Sequence, residues 1–164
     1  MSLNKTSCIR LGADEVTYCL HILVRYELEK MIFNENVPAK ELPALWNEKM
    51  WKYLKVSPSN DAEGILQDVH WSKGDFGYFP TYLLGSIYDG MFLEALERDK
   101  GSIDDILRSG RIGEITNWLN KNIHFYGSTR LPKEVVEIVC NKPISAKPLL
   151  NYFTEKYQRI YSLS

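Results

Sequence analysis

Histidine and cysteine are scarce in this 164-residue chain, three of each, and neither is spaced for metal or disulfide chemistry. His21, His70 and His124 form no His-x-x-x-His pair, the spacing that lets one helix aim two imidazoles at an ion. Cys8, Cys19 and Cys140 are odd in number and contain no Cys-x-x-Cys. No disulfide framework is expected; reduced thiols point to the cytoplasm. An excess of one charge is missing too: 20 basic residues stand against 21 acidic, a net charge of -1. Without a basic run there is no surface for phosphate, so nucleic acid is excluded as a partner. No segment approaches the ~20 consecutive apolar residues of a membrane span, and residues 1–7 lack the apolar run of a signal peptide. Alternating apolar and polar runs with hairpin turns are also absent, which argues against strands.

What remains is helical periodicity. With 45% hydrophobic residues, the chain is long enough for one domain with a real core, and residues 1–164 are read as a single helical domain of the all-α class. After an extended lead-in, Asp14 caps a helix whose stripe Val16, Leu20, Val24, Leu28, Ile32 runs to about Asn34. The adjacent stripe Thr17, His21, Arg25, Glu29 is expected to face water. A second helix from about Lys40 to Lys55 tolerates Pro43 near its first turn and carries Leu45, Trp46, Met50, Trp51 and Leu54. Pro80 suits the first turn of a helix reaching about Arg98, in which Gly85 and Gly90 imply a close helix neighbour. Shorter helices follow at Ile103–Arg108, from Ile112 to about His124, and over Val135–Cys140 behind Pro132. Leu149, Leu150, Phe153, Tyr157 and Ile160 mark the last one.

The densest chemistry lies between Gly64 and Tyr82. Gln67, Asp68, His70 and Trp71 bring an amide, a carboxylate, an imidazole and an indole together, and Gly74 and Gly77 permit backbone angles other residues resist. If Gly64–His70 is helical, Gln67 and His70 share nearly one face. A neighbouring carboxylate can fix the tautomer of an imidazole, which then suits polarising a carbonyl or stabilising an anion. The same residues also suit a buried polar cluster that ties two helices together. Asp68, His70 and His21 make a poor metal set, because positions two apart on a helix point about 200° apart.

Gly-x-x-Gln-Asp-x-His-Trp at Gly64 to Trp71 resembles a signature of the thermostable carboxypeptidase (carboxypeptidase Taq) family of zinc-dependent enzymes. Ile9-Arg10-Leu11-Gly12-Ala13-Asp14 is similar to that family's Ile-Arg-x-x-Ala-Asp element, and both patterns stand in the family's order. Glu15-Val16-Thr17-Tyr18 and Gly77-Tyr78-Phe79-Pro80-Thr81-Tyr82 also read like it. The resemblance covers essentially the whole chain, but corresponds to the C-terminal part of a much longer family chain. It implies an almost wholly helical fold around a long substrate groove. It also implies that the zinc site, a His-Glu-x-x-His helix and a later Glu, lies upstream of the Ile-Arg element. No zinc or other cofactor is therefore expected to be held by this chain.

The resemblance implies that Arg10 contacts the carboxylate at a peptide's C-terminus, where a guanidinium offers two parallel charge-assisted hydrogen bonds. Gly12, a free position of its element, is expected to loosen the approach to Arg10. His70 is expected to donate to the substrate carbonyl or the oxyanion, with Gln67 and Asp68 orienting it or the substrate. Tyr78 supplies a further phenol donor, or Tyr82 in its place; Trp71 is structural and Asp14 is the helix cap. The chain is then the C-terminal part of a metallocarboxypeptidase, a shortened gene or half of a split enzyme, inactive alone and completed by an N-terminal portion. The alternative is a non-catalytic helical module that self-associates or binds another chain.

Overall fold

The computed structural model describes residues 6–162. Among them seven α-helices and four short 3-10 turns are joined by loops, with no strand. The chain divides into two compact units, with the boundary between Leu83 and Leu84.

In the first unit, helix α1 (Glu15–Asn34) starts where expected, because Asp14 Oδ1 accepts from the backbone N–H of Val16 at 2.9 Å and of Thr17 at 2.8 Å. Its apolar stripe packs Val24 and Leu28 against Trp46, Met50 and Leu54 of α2 (Leu42–Leu54). The adjacent stripe does not face water. His21 and Arg25 have no exposed surface and Glu29 keeps 6%. Partners from far along the chain cover them: Asp68 meets Arg25, and the Trp71 indole donates to Glu29 at 2.8 Å. A solvated seam is the ordinary outcome on a lone helix, but a carboxylate arriving from 43 residues away makes burial affordable here.

The stretch at Gly64 is not helical. Residues 61–66 form consecutive turns, with Leu66 N–H donating to Asp61 O at 2.8 Å and Gln67 N–H to Gly64 O at 3.2 Å. A 3-10 turn at Trp71–Lys73 follows, and Gly74 (φ 81°) and Gly77 (φ 77°) both take the left-handed region their type permits. The lead-in likewise carries a 3-10 turn, Arg10–Gly12, which the sequence pattern did not announce.

Helix α3 (Phe79–Lys100) contains the boundary; Phe79 belongs to the first unit and Met91, Ala95 and Leu96 to the core of the second. That core is completed by α4 (Ile103–Arg108), α5 (Ile112–Asn122) and α6 (Pro132–Cys140) through Ile106, Trp118, Val136 and Val139. Pro132 opens α6 at its first turn, where a missing N–H costs nothing, and Arg98 donates to the Val139 and Cys140 carbonyls at its other end. Cys8, Cys19 and Cys140 are free thiols, and no helix of the described residues is long and apolar enough to cross a membrane.

The two glycines inside α3 separate. A Cβ on Gly90 would stand 2.8 Å from Leu149 Cα in α7 (Lys147–Tyr161), whereas one on Gly85 meets nothing within 4 Å. The close neighbour inferred for both exists at Gly90 alone. Gly85→Ala is expected to raise the melting temperature, gaining up to about 1 kcal/mol of helix propensity. Gly90→Ala is expected to lower it, because about 1–3 kcal/mol of overpacking exceeds that gain. Thermal melts followed by far-UV circular dichroism distinguish the two signs.

Candidate functional site

The site is built in the first unit, where the Arg10 turn, α1, the Gly64–Trp71 turns and the start of α3 converge. Gln67 makes the first tie. Its Oε1 accepts the Arg10 backbone N–H at 2.8 Å, and its Nε2 donates to the carbonyls of Cys8, Glu63 and Gly64. The contacts to Arg10 and Cys8 fasten the N-terminal segment to the turns, and those to Glu63 and Gly64 brace the turns themselves.

Asp68 makes the second tie, and it is ionic. Its Oδ1 takes Arg10 through Nε at 3.1 Å and Nη2 at 2.6 Å, while Oδ2 takes Arg25 through Nε at 2.7 Å and Nη2 at 2.6 Å. Burial works against the Asp68 charge, but hydrogen bonds and charge from Arg10 and Arg25 outweigh it and hold the carboxyl below its usual range. Burial pulls the Arg25 guanidinium down to about 10, opposed by Asp68, so it stays cationic at neutral pH. Arg25 Nη1 donates to His21 O at 2.7 Å, and its guanidinium lies 4.6 Å from the Trp46 ring centre. Arg10 is buried as well, with 6% exposed. Its Nη1 donates to Tyr18 Oη at 3.2 Å and its guanidinium sits 5.3 Å from the Tyr82 ring centre.

Beside this triad stands His70. Its Nε2 lies 3.0 Å from Tyr82 Oη, and its ring packs 4.4 Å from that of Phe79 and 5.8 Å from that of Tyr78. The imidazole is therefore oriented by a phenol and aromatic faces. Asp68, expected to be able to orient it, has both oxygens on guanidiniums instead. The His70 Nδ1 is buried without a hydrogen-bond partner among the described residues. Tyr78 keeps half its surface exposed and contacts the Tyr82 ring edge-on.

The structure thus brings Arg10, Gln67, Asp68, His70, Tyr78 and Tyr82 into one neighbourhood, with Trp71 packed on Trp46 and Phe76 as a structural residue. The sequence pattern does not mark Arg25 or Tyr18 as members of it, and sets His21 beside Asp68 and His70 only as a poor metal set. The signal for Arg25 was the polar stripe on α1, one helical turn apart from His21 and Glu29. Read as solvated, it concealed a buried cation.

Residues 2–157 match the family model for the carboxypeptidase Taq (M32) metallopeptidases. The chain belongs to the M32 family. It is 42% identical over 160 residues to carboxypeptidase 1 of Bacillus subtilis, covering 98% of this chain and 32% of that protein. It is 42% identical over 155 residues to thermostable carboxypeptidase 1 of Thermus thermophilus, covering 94% and 30%. The M32 carboxypeptidase of Deinococcus radiodurans superposes with a TM-score of 0.92 at 29% identity over 97% of this chain and 32% of that one. The chain therefore spans about a third of the length of the M32 relatives it matches, and its all-helical array is that part of their fold.

A metallopeptidase family implies a metal, and the donors here do not fit one. Among the described residues no group of three or more His, Cys, Asp or Glu is placed to hold an ion. His21 Nε2 lies 3.2 Å from Ser7 O, a carbonyl that can only accept, and the His21 ring is flanked by cations. Asp68 has both oxygens engaged.

Proposed function

We propose that this chain is the C-terminal, substrate-gripping part of an M32 metallocarboxypeptidase, in which Arg10 receives the free carboxylate of a peptide's last residue. The observation that carries the reading is a charge count. Arg10 and Arg25 share the single carboxylate of Asp68, leaving one positive charge in excess beside a wall of Tyr18, Phe79 and Tyr82. Aromatic walls keep water out and strengthen the pull of that charge on an anion. Arg10 Nη1 and Nη2 each make one described hydrogen bond, so each has a second N–H for a substrate carboxylate. His70 and Tyr82, linked to each other, together with exposed Tyr78, then flank the adjoining peptide unit. His70 or Tyr78 donates there to a carbonyl oxygen or the oxyanion that develops from it.

The cutting chemistry we assign to a part of the family's chain that has no match here, joined to this one or supplied as a separate polypeptide in the cytoplasm. The purified chain, given zinc and a blocked dipeptide with a free C-terminus, is expected to release no amino acid above the uncatalysed rate. Steady release of the last residue would defeat this assignment.

A second reading is favoured by one surface. A cleft of about 350 Å³, in which Leu42, Ile65, Leu66 and Val69 stand beside Asp61 and Asp68, leaves Leu66 71% and Val69 58% exposed. Such a face suits a helical module that self-associates or binds another chain. Gel filtration over a dilution series separates the readings, since a strictly monomeric chain counts against self-association.

A further inference from the structure

We propose that Arg25 is a positioning residue that sets the charge on Arg10, turning a self-neutralised ion pair into an anion receptor; this rests on the carboxylate-binding reading of Arg10. The geometry divides the labour. Arg25 has no exposed surface, is boxed by the rings of Trp46 at 4.6 Å and Phe79 at 5.2 Å, and spends Nη1 on the His21 carbonyl. It reaches no ligand. What it reaches is Asp68 Oδ2, by two contacts of 2.6 and 2.7 Å, leaving Oδ1 to Arg10.

Holding the N-terminal segment against the Gly64–Trp71 turns requires no third charge. Gln67 already binds the Arg10 backbone, and an Arg10–Asp68 pair alone would be neutral and cheaper to bury. That pair would also be useless as a receptor, because a carboxylate arriving at Arg10 would meet a second carboxylate on the same guanidinium. Arg25 cancels Asp68 from behind. The excess charge then resides on the outer guanidinium, Arg10, which faces Tyr18 and Tyr82. The other neighbours act little on this pair: His21, with its pKa lowered to about 4, is neutral at neutral pH, and Glu29, whose Oε1 accepts the Trp71 indole N–H, is not among the main charges acting on Arg10 or Arg25.

The test measures charge-dependent recognition in the 164-residue chain by titration calorimetry, using acetyl-alanyl-phenylalanine and its C-terminal amide at neutral pH. The chain is expected to prefer the free acid. Arg25→Gln should abolish the preference, a loss of about tenfold or more for a charge-assisted contact. Arg25→Gln combined with Asp68→Asn restores one net charge on Arg10 and should restore the preference. Retention of the preference by Arg25→Gln, or failure of the double variant to regain it, overturns the role assigned to Arg25 and leaves that of Arg10 standing. Absence of any preference in the unaltered chain overturns the carboxylate-binding reading and this role with it. Circular dichroism accompanies each variant. Should Arg25→Gln not fold, Asp68→Asn alone decides: with two excess charges it should strengthen the preference, and a weakened one overturns the proposal.

Discussion

Asp68→Ala is expected to lower the unfolding free energy by about 3–5 kcal/mol, the cost of leaving a buried cation without its counter-ion. Arg25 is fully buried and both its ionic contacts end on Asp68 Oδ2, so the substitution leaves its charge unpaired in the interior. Arg10 loses Nε and Nη2 contacts in the same step. The measurement is urea unfolding followed by tryptophan fluorescence; Trp46, Trp51 and Trp71 lie in the same unit as Asp68. The midpoint should fall with an unchanged slope. Replacing all three charges at once, with Met for both arginines and Leu for Asp68, should cost far less, because the desolvation penalty leaves with the charges. A loss below about 1 kcal/mol for Asp68→Ala would show that the carboxylate does not hold the guanidiniums.

The fold is also expected to weaken in mild acid, by about 3 kcal/mol between pH 6.5 and pH 4. His21 is the cause. Burial, aided by the charge of Arg25, lowers its pKa from 6.5 to about 4, and Nδ1 has no hydrogen-bond partner among the described residues. Below pH 6.5 the unfolded chain takes up a proton at this position and the folded chain does not, so stability falls with pH across that window. Once the pH is below about 4 the folded His21 is protonated as well, and its contribution is fully lost. Asp68 works in the same direction but lower, since its carboxyl is held below 3.8 and its contribution fades from there downward. Urea midpoints at several pH values should show the slope, and His21→Gln, which keeps a donor for the Ser7 carbonyl, should flatten it between pH 6.5 and 4. An unchanged slope in that variant would assign the acid sensitivity elsewhere.

Local rules made much of this molecule legible. Asp14 before an apolar four-residue stripe announces a capped helix because a carboxylate two and three residues ahead of free N–H groups satisfies them at once. Pro80 and Pro132 stand in first helical turns for an equally local reason, and the helix over Val135–Cys140 ends where expected. Gly74 and Gly77 occupy the backbone region their lack of a side chain allows. Where readings failed, distant partners decided. Helical periodicity at Gly64–His70 gives way to turns, where the Gln67 amide reaches the Cys8 carbonyl and the Arg10 N–H from 59 and 57 residues away. Local rules place the stripe His21, Arg25, Glu29 in water because nothing nearby in sequence covers it.

By itself, then, the sequence determined an all-helical chain, most of its helix limits and, through two short signatures, membership of a peptidase family. Those properties depend on periodicity, caps and residue identity, which act within a few positions. The tertiary structure alone decided that Asp68 faces two arginines rather than His70, that Arg25 is interior, and that Tyr82 is the partner of the imidazole. Charge pairing across 43 or 58 residues depends on where the backbone returns, and no local rule carries that information.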